Sequence, residues 1–235
     1  MFKKETVSKV INGINARRMY YAPLTVDKVK MCISPGNEKI GKVLNVSIPP
    51  IITCHHCAKC MYFCYDIKAC IQYPETVIDA RVRNLHVLLT NRDEYFNRID
   101  KKMSRRRKNK YFRWHVAGDI LDYDYFDRMV NNARNHPDYI AIWTYTKEYD
   151  IVNKWLDDHG GLSALPYNFV VMFSKWDGVP MNNPYNLPVF ACKLKDGNKD
   201  AMPWDDMYIC PGNCDICKNG KRGCMAGENT YADEH

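Results

Sequence analysis

Four cysteines, Cys54, Cys57, Cys60 and Cys64, fall within eleven residues in the spacing C-x2-C-x2-C-x3-C. Thiolates are soft ligands, and two-residue gaps let one loop wrap a compact inorganic core, as iron–sulfur loops do. A zinc ion needs four tetrahedral ligands and would accept these thiols, or His55 and His56. Met61, Tyr62, Phe63 and Tyr65 stand beside them, where aromatic packing would keep water from a cluster and tune its potential. A second group, Cys210, Cys214, Cys217 and Cys224, has the spacing C-x3-C-x2-C-x6-C, with Gly, Asn and Lys filling the gaps. Such a segment cannot bury enough apolar surface to fold alone. A bound metal, as a second iron–sulfur cluster or a structural zinc, would supply the missing free energy. Cys32, Cys70 and Cys192 read as small buried hydrophobes.

The bulk composition frames this chemistry. The chain has 235 residues, of which 46% are hydrophobic and 26% charged, an ordinary globular balance. Met1 to Ser8 lacks the apolar core of a secretory signal, and no run approaches the roughly 18 apolar residues of a membrane span. A soluble cytoplasmic protein without a membrane partner is expected, and there thiols stay reduced. Eleven cysteines, an odd count in a chain too large to need stapling, then point to metal chemistry rather than disulfides. The net charge of +7 suits an anionic partner. Lys101 to Lys110 holds seven cations in ten residues, more than a helix end requires. Arg105, Arg106, Arg107, Lys108 and Lys110 are therefore candidates for contact with a nucleic-acid backbone.

The elements that must position these residues follow from periodicity. Residues 7–13 read as a short amphipathic element ending at Gly13. Residues 26–33 and 42–48 alternate and predict a small N-terminal β-hairpin. The apolar run 84–90 and residues 111–119, 139–146 and 169–174 predict buried strands, with 189–192 a weaker fifth. Helical patterns over 93–103, 122–135 and 148–158 alternate with them. The segment from Cys210 onward reads as loop, and the tail Ala226 to His235 as frayed. Strands alternating with helices predict an α/β fold with a parallel sheet, either a partial (βα) barrel or an open sheet. The expected division is a β element over 1–52, an α/β core over 53–200 and a metal-binding segment over 201–235.

In such folds ligands sit beyond the carboxyl ends of the strands. Polar residues collect at those predicted ends: Gly118 and Asp119, Thr146 and Lys147, and Ser174. These five are candidates for binding a cofactor or small-molecule substrate, although caps and turns also use such residues.

A cysteine-rich loop with an aromatic beside its last cysteine, followed by βα units, resembles the radical S-adenosylmethionine superfamily. That resemblance implies a partial α/β barrel and a [4Fe–4S] cluster held by three cysteines, here Cys57, Cys60 and Cys64 with Cys54 close by. It also implies S-adenosylmethionine on the fourth iron, with Asp119 of Ala117-Gly118-Asp119 helping to hold its amino group if the 85–90 run is not a barrel strand. The gaps C-x2-C-x3-C are the reverse of the usual C-x3-C-x2-C. The chain also resembles a group of phage-encoded proteins. The likeness rests on Cys64-Tyr65, the strand Arg113 to Asp119, Tyr145-Thr146-Lys147 and the cysteine-rich C-terminal segment.

Two function classes fit. One is a radical S-adenosylmethionine-like iron–sulfur enzyme acting on a nucleotide or nucleic acid. The other is a non-enzymatic zinc or iron–sulfur module that recognises nucleic acid or a host protein. Three loop thiols on a cluster would leave it open for chemistry, and four would close it.

Overall fold

A computed structural model describes residues 1–57 and 59–234. Eight strands form one sheet in the order β1-β2-β3-β4-β5-β6-β8-β7. Strands β2 (Leu44–Val46), β3 (Tyr111–Trp114), β4 (Ala141–Thr146), β5 (Phe169–Lys175) and β6 (Val189–Lys193) run parallel in chain order. The short β1 (Ile33–Ser34) pairs antiparallel to β2, so the N-terminal hairpin is real but small. The fold is the expected open α/β sheet and does not close into a barrel.

The strands alternate between two buried faces. Phe112, Trp114, Ile142, Val171 and Phe173 point into the main core. That face is covered by α4 (Arg92–Ser104), α5 (Tyr123–Asn135) and α6 (Tyr149–His159). Each helix has a legible start or stop. The Asn91 side chain accepts from Glu94 N–H, and the Asp122 side chain from Tyr125 N–H, at 2.9 Å each. Gly160, in the left-handed region, ends α6.

Several expectations are corrected. The 7–13 element is the middle of an 18-residue helix, α1 (Lys4–Tyr21), which runs through Gly13; Val7, Val10 and Ile14 form its buried stripe. Residues 26–33 give only a helical turn at Val26–Lys28 before β1. The apolar run 84–90 lies in a helix, α3 (Asp79–Thr90), not a strand. It is apolar on both sides because Leu85 and Leu88 enter the main core, while Val82 enters a second cluster with α1 and α2 (Tyr65–Gln72). Asn84 imitates a strand neighbour: its amide accepts from Cys32 N–H (2.7 Å) and donates to Cys32 O (2.9 Å) and Ser47 O (2.8 Å).

The C-terminal segment is structured rather than loop-like. It forms β7 (Tyr208–Ile209), the short helix α7 (Cys214–Gly220) and β8 (Thr230–Asp233). Far from fraying, β8 inserts between β6 and β7 and pairs with both. His235 lies outside the described residues.

Candidate functional site

The cysteine loop leaves the carboxyl end of β2 and runs along the end of β3. Backbone pairing continues past both strands: His115 N–H donates to Val46 O (3.0 Å) and Ile48 N–H to Ala117 O (3.1 Å). Ala117 N–H also donates to Ser47 Oγ (3.3 Å). Gly118 has a φ of +87°, and a Cβ there would stand 2.3 Å from Ile48 Cγ1. Glycine is thus what lets the two loops touch.

Three of the four loop thiols come together. Cys57 Sγ and Cys60 Sγ are 3.9 Å apart, and the Cys57 thiol also hydrogen-bonds Cys54. The Cys57 hydrogen bond, helped by the Lys147 ammonium, pulls the Cys60 thiol down to about 6 against its burial. Bonds to Cys54 and Cys60 hold the Cys57 thiol far above its usual range. Cys64 behaves differently. It is the residue before α2, its carbonyl accepts from Ile67 N–H (3.0 Å), and it packs against the α1–α2–α3 cluster. Burial pushes its thiol up to about 12. Cys54, Cys57 and Cys60 are thus linked thiol to thiol, and Cys64 stands within electrostatic reach of Cys60.

The ends of β3 and β4 meet this trio. Burial opposes the charge of Lys147, but Cys60, Asp119, Cys54 and Cys57 surround it and raise its pKa. Asp119, 5% exposed, accepts from Thr146 Oγ1 (2.6 Å) and Ile120 N–H (2.8 Å) through Oδ1, and from Lys147 N–H (3.1 Å) through Oδ2. Thr146 Oγ1 in turn accepts from Glu148 N–H (2.9 Å). Both Asp119 oxygens are thus engaged by the chain's own donors, and the carboxylate locks the two strand ends together. Burial pushes its pKa up, and Lys147 opposes that. Ser174 sits at the end of β5, where its carbonyl accepts from the Tyr149 hydroxyl (2.6 Å).

Glu148 was not foreseen. It is buried, with His55 Nδ1 at 3.2 Å and His56 Nε2 at 3.7 Å. The His55 contact lacks hydrogen-bond geometry, since Glu148 Oε1 has no hydrogen-bond partner. Burial first, and then the Asp119 charge, raise the Glu148 pKa. Only its place directly after Lys147 could have pointed to it. Nearby, the rings of Phe63 and Trp176 lie 5.6 Å apart and border a cavity of about 260 Å³ with Lys59, Tyr62 and Asp177.

The second cysteine group lies on the other face of the sheet, where Cys214, Cys217 and Cys224 pack with Val43, Trp143 and Tyr145. The five basic candidates lie at the opposite end of β3 from Asp119, in the turn entering the strand. Arg106 donates to Lys42 O (2.9 Å) and Lys108 O (3.0 Å), and Lys110 pairs with Asp138 (2.5 Å). Arg105, Arg107 and Lys108 are exposed. Among the described residues, no three Cys, His, Asp or Glu side chains are arranged to hold a metal ion. No helix is long and apolar enough to cross a membrane.

In comparison with known proteins, the model of the Gene product 88 family matches residues 23–180 of the chain. The chain belongs to the Gene product 88 family. The match covers the Cys54–Cys64 loop and the ends of β3, β4 and β5. The second cysteine group of this Gene product 88 protein lies outside it. The family is a phage-type one, in agreement with the resemblance to phage-encoded proteins. No curated protein and no solved structure matches the chain.

Behind the rim, His115 takes a φ of +53° at the end of β3, with its Nε2 3.0 Å from the Tyr125 hydroxyl. Burial, reinforced by Arg113, lowers its pKa to about 3. Its folded pKa lies below its ordinary value, so the unfolded chain binds the proton more readily. The stability this contributes is complete above about pH 6.5 and is lost as pH falls toward 3. Urea unfolding should show about 2 kcal/mol of this loss between pH 7.5 and 5, and His115→Asn, which tolerates the same backbone, should remove it. An unchanged pH slope in that variant would refute the assignment.

Proposed function

We propose that this protein is an iron–sulfur enzyme of the radical S-adenosylmethionine type. It works in the cytoplasm of a bacterial host, on a nucleotide or nucleic-acid substrate. The observation that carries this reading is the hydrogen-bonded grouping of Cys54, Cys57 and Cys60 beside Lys147, with Cys64 packed against the α1–α2–α3 cluster. Three thiolates leave a metal centre one open position. Topology supports it too. The loop follows the first parallel strand and Gly118-Asp119 ends the next, which is the placement the resemblance implies.

The donor set suits a cluster, since all three converging groups are sulfur ligands. Such a cluster, when bound, supplies an electron to S-adenosylmethionine. The chain's own residues do the rest. Lys147 offsets the negative charge of the thiolates. Asp119 and Thr146 hold Lys147 and Glu148 in place from the strand ends. With Asp119 engaged, Glu148 is the carboxylate better placed to receive an ammonium group. The Phe63–Trp176 cavity offers flat apolar walls beside the site.

A second reading, a metal-binding module that contacts nucleic acid, is favoured by exposed Arg105, Arg107 and Lys108. They lie at the far end of the sheet, so such contact would be separate from the thiol site.

Anaerobic purification tests the first reading. Brown protein absorbing near roughly 400 nm, with iron and sulfide, is expected. Cys57→Ser should bleach it and Cys64→Ser should not. Colourless protein holding zinc in this loop would overturn the reading. Iron present without reductive cleavage of S-adenosylmethionine would leave the module.

A further inference from the structure

The passage from α4 into β3 carries charge that the rest of the chain leaves unanswered. Five of the eight residues from Lys101 to Lys108 are exposed cations: Lys101, Lys102, Arg105, Arg107 and Lys108. Among the described residues none of the five forms an ion pair, whereas Arg98 before them and Lys110 after them do. Two carboxylates next to the run are engaged elsewhere. Asp100 faces His136 Nε2 at 3.1 Å, and Asp138 pairs with Lys110. Lys101 and Lys102, in the last turn of α4, suit its dipole, but Arg105, Arg107 and Lys108 lie beyond that turn. Like charges this close repel one another. The turn that holds them is nevertheless fixed, because Arg106 donates to Lys42 O (2.9 Å) and Lys108 O (3.0 Å).

The same surface continues past β3. Ile140 N–H donates to Lys110 O (2.7 Å), so the loop over 136–140 runs alongside the turn. Next to that loop stands Tyr167, at the entry to β5. It is 83% exposed, yet its hydroxyl donates to the Pro137 carbonyl. Its neighbour Asn168 is buried and donates to His136 O (2.9 Å) and Ala133 O (3.4 Å). A large aromatic ring is thus anchored at both its backbone and its hydroxyl, and left to solvent. The amino ends of β3, β4 and β5 together present cations, a loop and an anchored ring. Two strand spacings, roughly 10 Å, separate β3 from β5.

We propose that this face binds single-stranded nucleic acid without regard to sequence, with Lys101, Lys102, Arg105, Arg107 and Lys108 on the phosphates and a base stacked on Tyr167. A single strand alternates anionic phosphates with open base faces, which is the pairing of cations and ring that the surface offers. A duplex stacks its bases on one another and is read by a helix or ribbon laid in a groove, whereas the arginines here stand on a turn. An anionic lipid surface would answer the charge but gives an anchored ring nothing to stack on. This contact deepens the second reading of the function, on which it rests. It is independent of the thiol loop, which lies at the opposite, carboxyl ends of the strands.

The test titrates the full chain into a fluorescein-labelled oligothymidylate and reads anisotropy. Affinity should fall with salt, with a log–log slope of about −2 to −3, the value for three or four phosphates of a single strand. Arg105→Glu/Arg107→Glu/Lys108→Glu should lose about 30-fold or more in affinity and most of that slope. Tyr167→Ala should lose about 5–100-fold and keep the slope, with Tyr167→Phe near the parent. Binding of a duplex of the same length should be unmoved by Tyr167→Ala. These positions are exposed, so urea midpoints near the parent's are expected and show that the variants fold. Iron-free protein should bind equally, so the outcome is read apart from that at the thiol loop. No binding to the oligothymidylate, parent-level binding by the charge-reversed variant or by Tyr167→Ala, or binding only to vesicles of phosphatidylcholine and phosphatidylserine would overturn the proposal.

Discussion

Replacing Arg81 with methionine should cost the protein about 3–5 kcal/mol of stability in urea unfolding at neutral pH. Asp66 lies in α2 and is 1% exposed; Arg81 of α3 is its cation and donates directly to its Oδ2. Cys70 completes the knot, 3.7 Å from Asp66 Oδ2 and 3.4 Å from Arg81 Nη1. The other carboxylate oxygen is buried without a partner. Burial pushes the Asp66 pKa up, and the Arg81 charge holds it back. With methionine at 81, Asp66 must take up a proton or stay charged in an apolar pocket, and either is expensive. A second change, Asp66→Asn, removes the stranded charge and should restore a good part of the loss. A loss below about 1 kcal/mol in the single variant would show that the pair contributes little. Since α2 begins directly after Cys64, the same lesion should loosen the exit of the cysteine loop.

The second large effect is at Gly118. An added methyl would meet Ile48 Cγ1 at 2.3 Å, Thr53 Oγ1 at 2.9 Å and the Ile48 carbonyl at 3.0 Å, in a backbone with φ of +87°. The carbonyl belongs to a segment pinned by Ile48 N–H on Ala117 O, so it cannot retreat without breaking the junction of β2 and β3. Strain and overpacking add, and Gly118→Ala should lose about 2–4 kcal/mol. Gly160→Ala is the control. Its φ of +82° is as unfavourable, but nothing lies within 4 Å of the new methyl, so about 1 kcal/mol is expected. Equal losses in the two variants would mean that the close approach at Gly118 is unimportant. Displacement of Ile48 and Thr53 also moves Cys54, so Gly118→Ala should reduce the metal uptake proposed for the loop, while Gly160→Ala should leave it unchanged.

What could be read from the sequence depended on how locally each feature is encoded. The run β3-α5-β4-α6-β5 was legible because each element carries its own period and its own cap, such as Asp122 or Gly160. Helix α3 was not, because it is sandwiched between two apolar clusters, and burial on both sides erases the period that tells helix from strand. Strand β8 was hidden by its polar residues; its place depends on partners some forty positions earlier in β6. The cysteines announced themselves by spacing. That Cys64 packs against the α1–α2–α3 cluster, that Glu148 faces the histidines and that Arg113 lies near Cys214 and Cys224 are consequences of register and loop path, which no local pattern records.

The insertion of β8 between β6 and β7 bears on how the chain comes apart. Strand β7 reaches the rest of the sheet only through β8. Between β6 and β7 the chain passes through exposed residues 195–197, open to a protease. A cut there severs the covalent path without releasing the downstream piece, because β8 remains threaded against β6 over Phe190 to Lys193. The nicked protein should migrate as one species until denatured, and the two fragments, once separated, should find each other again. In that sense the C-terminal segment is a non-covalent subunit of its own fold.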